Sequence, residues 1–419
     1  MSKAQHASGF APPDRSVLRA RRKAGDTSRD GRGRVAAMPP ILAYGFRPFF
    51  FLAALYAAVA VPLWLWVHAG GPAAPGPFGS LGWHAHEMIF GYLGAVLAGF
   101  ILTAIPNWTG RLPLSGWPLA GLVGLWIVGR LAVAFAAAPW PALALDLAFP
   151  AVLAFAVWRE VLAGRNWKNA PIAAMVLLFG VASGIDHLSA MGHARYQLGV
   201  RLALAVAAVL IALVGGRIVP SFTRNWLVKQ GAARLPASFG RLDGTAIVAT
   251  AVAALAWVFF PEARASGALL LTAGLLVGLR LSRWRGHATL AEPIVLVLHL
   301  GYAWLAASLL LLGLAVLLPG VVPASVALHA LTAGAVGTMT LAVMTRASLG
   351  HTGRAIEADP AIVAIYALVT LGALLRVAAP FAGGWYLAVL SAGGGLWSAA
   401  FLLFVIRFAP VLWGRRAGA

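Results

Sequence analysis

Hydrophobic residues in this chain come in long unbroken runs, not in the stripes that a soluble fold shows. From Phe49 onward twelve runs each approach the ~20 residues that an α-helix needs to cross a ~30 Å hydrocarbon core. They cover roughly 49–69, 84–105, 117–138, 141–162, 170–189, 196–218, 244–261, 266–281, 291–318, 324–345, 360–379 and 384–408. The eighth is short, and Asp146 and Pro150 interrupt the fourth. The pattern predicts an all-α membrane protein of about twelve transmembrane helices, with residues 47–419 as a single transmembrane domain. Gly180/Gly184 and Gly274/Gly278 are spaced for close helix approach.

Polar residues break the pattern first in residues 1–46. Nine cationic residues, from Lys3 to Arg34, are interleaved there with Gly, Ser, Asp and Pro. Such a segment cannot bury enough apolar surface to offset its ordering entropy, so a disordered basic tail is expected. It is too long and too weakly apolar to read as a signal peptide.

The next breaks are three helix exits that look alike. The second span leaves through Pro106-Asn107-Trp108-Thr109-Gly110-Arg111, and the sixth through Pro220-Ser221-Phe222-Thr223-Arg224-Asn225. The tenth leaves through Thr345-Arg346 to His351-Thr352-Gly353-Arg354. Their recurrence at every fourth helix suggests three four-helix units, 47–168, 169–290 and 291–419. The alternative is that helix ends of this kind simply collect Arg, Gly and Thr. In the repeat alignment His86 precedes Thr109 by the same interval as His329 precedes Thr352, which puts the two imidazoles at one depth; Val200 and Arg201 stand at that level in the sixth span.

Composition agrees with membrane residence: 61% of residues are hydrophobic and 11% charged, against about a quarter charged in soluble domains. With no cysteine, disulfides, thiolate zinc sites and iron–sulfur clusters are excluded. The net charge of +20 would suggest nucleic acid were it clustered on a soluble face. If the N-terminus is cytoplasmic, every Lys and Arg except Arg130, Arg195, Arg201, Arg264 and Arg376 falls in the tail or on the cytoplasmic side. That is the positive-inside pattern, so both termini are expected in the cytoplasm. The implied partner is the bilayer and not nucleic acid, with anionic lipid a further attraction for the tail.

Ionisable residues inside spans are costly and usually face a cavity or a partner. Glu87, Arg130, Asp146, Asp186, His187, Arg201, His329 and Arg376 all fall in the predicted periplasmic half, with His84 and His86 at the start of the second span. His299 lies nearer mid-membrane. Neutral imidazole binds haem iron, copper and zinc, and histidines on different spans suit axial haem ligation. A bis-histidine haem would use His329 with His86 or His84. The latter two lie about 200° apart around a helix and cannot easily share one metal. Of the two, His86 is the preferred ligand and His84 a supporting or propionate contact. His187 and His299 are candidates for copper, with Met339 or Met344 as soft ligands if it is Cu(I); His299 can equally be a helix–helix hydrogen-bonding residue and the methionines packing residues. His351 is the remaining metal candidate. Glu87 and Arg130 can neutralise each other; in the functional alternative Glu87 relays protons, while Arg201 or Arg376 holds haem propionates. Asp186 can orient the adjacent His187.

The motifs themselves resemble the NnrS family. They are Trp83-His84-Ala85-His86-Glu87-Met88 with Phe90-Gly91, Asn107 through Arg111, Gly215-Gly216-Arg217 with Pro220-Ser221-Phe222-Thr223, and His329-Ala330-Leu331-Thr332 through Arg354. The match starts at Gly45-Phe46-Arg47-Pro48-Phe49-Phe50 and covers the chain beyond the tail. The resemblance implies a bacterial inner-membrane protein containing haem and copper, linked to nitric oxide metabolism in denitrifying bacteria and to nitrosative stress resistance. Twelve spans in three fours also resemble the catalytic subunit of haem–copper oxidases and nitric oxide reductases, whose low-spin haem sits between histidines of the second and tenth helices. That subunit's copper histidines lie on helices six and seven, where this chain has none, so copper must use other positions such as His187 and His299.

Three functions follow as expectations. A haem–copper oxidoreductase would act on nitric oxide with an electron donor and a proton route through Glu87. A binder or sensor would hold the small gas without turnover. A transporter for haem, metal or an ion would line its pathway with the charged residues.

Overall fold

The fold is given by a computed structural model that describes residues 39–73 and 76–418, with the side chains of residues 107–109 outside the description. The basic tail expected to be disordered lies outside the described residues as far as residue 38. Among the described residues every regular element is helical, and twelve helices are long and apolar enough to cross a membrane. They are α1 (Phe46–His68), α2 (Ser80–Pro106), α3 (Gly116–Phe135), α4 (Pro139–Ala163), α5 (Trp167–Ala190), α6 (Leu198–Lys229), α7 (Arg241–Phe259), α8 (Arg264–Ser282), α9 (Pro293–Leu317), α10 (Ala324–His351), α11 (Pro360–Phe381) and α12 (Gly383–Trp413). Structure begins slightly before residue 47: Pro40–Leu42 form a 3-10 turn, and Ile41, Leu42 and Tyr44 rest on the core.

Successive helices lie side by side, and α12 closes the ring against α1. Arg47 on α1 fastens that closure by donating to the carbonyls of Leu412 (2.8 Å) and Gly414 (2.7 Å), groups that a helix C-terminus leaves unpaired. We call the end of the bundle holding Phe46 and Trp413 the terminal face and the other the distal face. At the terminal face Asp359 caps α11, accepting from Ile362 N–H (2.9 Å) and from Arg407 (2.7 Å). Partial burial alone would raise its pKa, but these donors outweigh it and hold the carboxyl below its ordinary value.

α2 and α10 bury the largest share of their length, followed by α6 and α9. α2, α6 and α10 meet around an apolar cavity of about 710 Å³, and Tyr92 of α2 bonds Thr340 of α10 at 2.5 Å. The outer helices show lipid-type surfaces instead. Leu131, Phe155, Leu275 and Ile406 are more than half exposed, as expected where hydrocarbon tails replace water as the neighbour.

Each of the three central helices contains a π-helical segment: Glu87–Leu93 in α2, Ile211–Gly215 in α6 and Ala330–Val336 in α10. Those of α2 and α10 begin directly after His86 and His329. That of α6 lies deeper than the level of Arg201. Segments of this kind widen a turn, re-aim side chains and occur often at functional sites.

All three predicted exits are helical at least in part. The helix of α2 runs on to Thr109, α6 continues through Pro220-Ser221-Phe222-Thr223 to Lys229, and α10 continues to His351. Proline inside a helix removes the N–H that would satisfy the carbonyl four residues back, here that of Gly216. Arg280 of α8 supplies the missing donors. Its guanidinium reaches the carbonyls of Gly216 (3.2 Å) and Ala212 (2.8 Å), the latter in the π-helical segment, as well as Tyr302 Oη (2.9 Å). Its Nε donates to Asp243 (2.8 Å), and the whole side chain is buried. In hydrocarbon no water can do this work.

Arg280→Met leaves two buried carbonyls without a donor and Asp243 with only Arg283 (3.2 Å) and the Gly240 N–H (2.9 Å), while keeping an apolar stem of similar length. It should destabilise the protein by about 1–3 kcal/mol, the usual cost of leaving a buried polar group unsatisfied. Thermal unfolding in detergent measures this, and an unchanged melting temperature would exclude the role given to Arg280.

Candidate functional site

The first turns of α2 carry Trp83-His84-Ala85-His86-Glu87 into the distal half of the bundle. Positions two apart diverge by about 200° on a helix, so the two imidazoles face different surroundings. Each belongs to its own buried polar centre.

His84 faces α10 and α11. It lines a cavity of about 700 Å³ together with His329 and Arg376, and most of the remaining wall is apolar, including Val61, Met88 and Leu390. Trp64 of α1 stacks on the His84 ring at 4.3 Å between centroids. The His329 Nδ1–H donates to the Ser325 carbonyl at 2.8 Å, which fixes the tautomer and leaves Nε2 with its lone pair free. His84 Nδ1, Arg376 Nη1 and Trp64 Nε1 are all buried without a hydrogen-bond partner. Unpaired buried polar atoms are rare in native structures and ask for an explanation, which a polar ligand provides.

His86 faces α3, α4 and α5. Its Nδ1 lies 2.9 Å from Asp186 Oδ2 and its Nε2 lies 3.1 Å from Asp146 Oδ2. Asp146 Oδ2 also accepts from His187 Nε2 (3.1 Å) and Ser183 Oγ (3.0 Å). Its Oδ1 accepts from Arg130, which pairs with Glu87 Oε2 at 2.5 Å through its other nitrogen. All of these ionisable groups are buried, and the ring of Phe78 lies over both imidazoles at 4.3 and 4.8 Å. Two glycines make room. A Cβ on Gly91 would collide with Glu87 and stand 2.8 Å from Arg130 Nη1, and one on Gly199 would meet the backbone of Asp186. A π-helical start at Glu87 and a glycine one turn on thus let the ion pair lie flat against α2.

The structure separates residues that the sequence reading grouped. His86, preferred as the counterpart of His329, turns to α4 and α5, and His84 shares the cavity with His329 instead. Equal position along a repeat fixes depth but not azimuth, and α2 presents the other imidazole to that side. Of the two arginines expected at propionates, Arg376 lines the cavity. Arg201 instead bonds the Val258 carbonyl (3.3 Å) between α6 and α7. His187 and His299 cannot share one copper ion, because His187 ends α5 at the distal face while His299 sits on the second turn of α9 toward the terminal face. His299 Nε2 bonds Thr223 of α6 at 2.8 Å, the helix–helix role that stood as its alternative. His351 lies at the terminal end of α10 against Phe46, remote from both centres. Met339 and Met344 are buried among core residues, Met339 on the wall of the apolar central cavity. Glu87 and Arg130 do pair. Asp186 orients His86 and not its neighbour His187. Trp64, Phe78 and Ser183 were not foreseen, since an aromatic ring or a lone serine in an apolar run carries no signal in the sequence.

A family model described as NnrS protein matches residues 40–416. The chain belongs to the NnrS family. No curated protein matches it. Both buried centres of this NnrS protein, and every helix that builds them, fall within the matched range.

Arg130 is the one cation among the three carboxylates of the second centre. Arg130→Gln should cost about 3–5 kcal/mol by leaving Glu87 and Asp146 uncompensated, and Arg130→Lys less. Comparing the two in detergent melts checks this. Equal stability of Arg130→Gln and the parent would show that the charges are compensated elsewhere.

Proposed function

We propose that this NnrS protein is a haem-binding bacterial inner-membrane protein acting in nitric oxide metabolism, with its haem between His84 and His329. Membership in the NnrS family supports a nitric-oxide-linked membrane protein. The observation that carries the haem reading is the cavity itself: two imidazoles from different helices, an unpaired guanidinium and apolar walls. Haem bound through two histidines is a one-electron carrier, its potential set by the axial ligands and the surrounding dielectric.

The chain's own residues divide the work. The Ser325 carbonyl holds the His329 ring so that Nε2 faces the cavity. Trp64 fixes the plane of His84 by stacking. Arg376 offers an unpaired N–H group where a propionate needs a cation, by charge-assisted hydrogen bonds. The apolar walls exclude water and lower the dielectric around the group. Glu87, locked against Arg130, is better described as part of a charge-neutralising network than as a free proton relay.

Orientation follows from the distribution of Lys and Arg: with the terminal face cytoplasmic, both centres lie in the periplasmic half. A small gas such as nitric oxide is the proposed ligand and an external electron donor the proposed partner. Turnover distinguishes an oxidoreductase from a binder.

Absorption spectra of the purified protein test the haem site. The parent should show a Soret band, His84→Ala and His329→Ala should each lose most of it, and His86→Ala should keep it. Arg376→Ala should weaken haem retention about tenfold or more, the loss expected from a charge-assisted pair of roughly 1.5–3 kcal/mol. A colourless parent, or full haem retention in both His84→Ala and His329→Ala, would defeat the assignment.

A further inference from the structure

We infer that His86, His187 and Asp146 form a second, independent site for one divalent first-row transition-metal ion, with Asp186 as the residue that positions His86. The residues differ from those of the haem cavity, so the inference stands or falls separately from that reading.

The geometry is the first ground. One ligand atom from each of the three residues lies within 4.8 Å of the others, and all three residues are buried. Asp146 Oδ2 is 3.1 Å from His86 Nε2 and 3.1 Å from His187 Nε2. Nitrogen and oxygen ligands bind such ions at about 2.0–2.2 Å, so two of them are about 2.9 Å apart at a right angle and roughly 3.4 Å apart at the tetrahedral angle. Both separations from Asp146 fall between those limits.

Proton inventory is the second. Both nitrogens of His86 face carboxylate oxygens. A neutral imidazole carries one N–H, and carboxylates only accept. With Nδ1–H directed at Asp186, a neutral His86 turns its Nε2 lone pair toward the lone pairs of Asp146, so this contact needs either a second proton on the ring or a metal ion between the two. A carboxylate bonded to the far nitrogen of an imidazole is also the usual support of a metal-binding histidine, since it fixes the tautomer and raises the ligand's basicity.

Charge is the third. Glu87, Asp146 and Asp186 against Arg130 leave two negative charges buried in the distal half when both imidazoles are neutral. Isolated charges are strongly disfavoured there. One divalent cation restores neutrality without protonating any ligand.

The donor set narrows the class of ion. Two imidazoles and one carboxylate, with no sulfur, suit iron, copper, nickel or zinc over calcium or magnesium, and among divalent ions intrinsic affinity peaks at copper. Three protein ligands leave a coordination position open. The buried ring of Phe78 packs against both imidazoles, tilted on His86 and edge-on to His187. Because His84 and His86 belong to one stretch of α2, such an ion would lie across a single helix from the haem cavity.

The test uses the full chain in detergent, stripped with chelator and titrated with Co²⁺ as a spectroscopic probe, then with Cu²⁺, with metal counted by elemental analysis. One ion per chain is expected. His86→Gln and His187→Gln, which keep a hydrogen-bond donor but no imidazole, should each weaken binding at least 100-fold, while His193→Gln and His299→Gln bind as the parent does. Asp186→Asn should keep the stoichiometry and lose about 10- to 100-fold in affinity. Wild-type affinity in both His86→Gln and His187→Gln, or no uptake by a monodisperse parent, would overturn the site. Should either variant fail to fold, cobalt-edge X-ray absorption on the parent decides: two imidazoles with oxygen donors support the site, and fewer than two overturn it. Haem is read separately from the Soret band, so a colourless protein that takes up one ion supports this site while defeating the haem reading.

Discussion

A carboxylate placed in the hydrocarbon layer must be surrounded by donors or it will not stay ionised there, and the distal half of this protein is organised around that requirement at Asp146. Arg130, His86, His187 and Ser183 converge on its two oxygens from α2, α3 and α5. These contacts tie four helices together at one depth. They also aim the His86 ring toward α4, which leaves His84, on the opposite side of the same turn, to face α10 and α11. The separation of the two centres is thus a consequence of how one buried charge is satisfied.

The same logic operates at a second buried arginine–carboxylate pair, Arg280 with Asp243. Pro220 and the π-helical segment of α6 free backbone carbonyls that in water would be solvated, and Arg280, held by Asp243, satisfies them. The cost of desolvating an arginine is met only where several acceptors converge on it. In both places an irregular stretch of a central helix and a buried ion pair occur together, because each supplies what the other lacks.

Much of this was legible in the sequence because membrane helices announce themselves by length and hydropathy. All twelve spans were foreseen, with boundaries off by a few residues except at the exits of α6 and α10. Those exits read as loops because proline, glycine and arginine cluster there, and nothing local tells that an arginine on α8 rescues the helix through Pro220. The distal concentration of ionisable residues was visible, since charges are rare enough in spans for each to stand out. Which side each histidine faces was not. His84 and His86 are equally good ligands by type, and only the positions of Trp64, Asp146 and Asp186, set by packing between remote segments, decide between them. For the same reason the pairing of His187 with His299 failed: helix number says nothing about depth, and His299 bonds Thr223 near the other face.

The central claim is that one turn of α2 serves two centres, with haem iron on the His84 side. Anomalous difference maps from crystals of the full chain, collected on both sides of the iron absorption edge, test this directly. The account predicts an iron peak between His84 and His329, clear of Asp146. An iron peak coordinated by His86 and His329, or no iron in the His84 cavity, would contradict it.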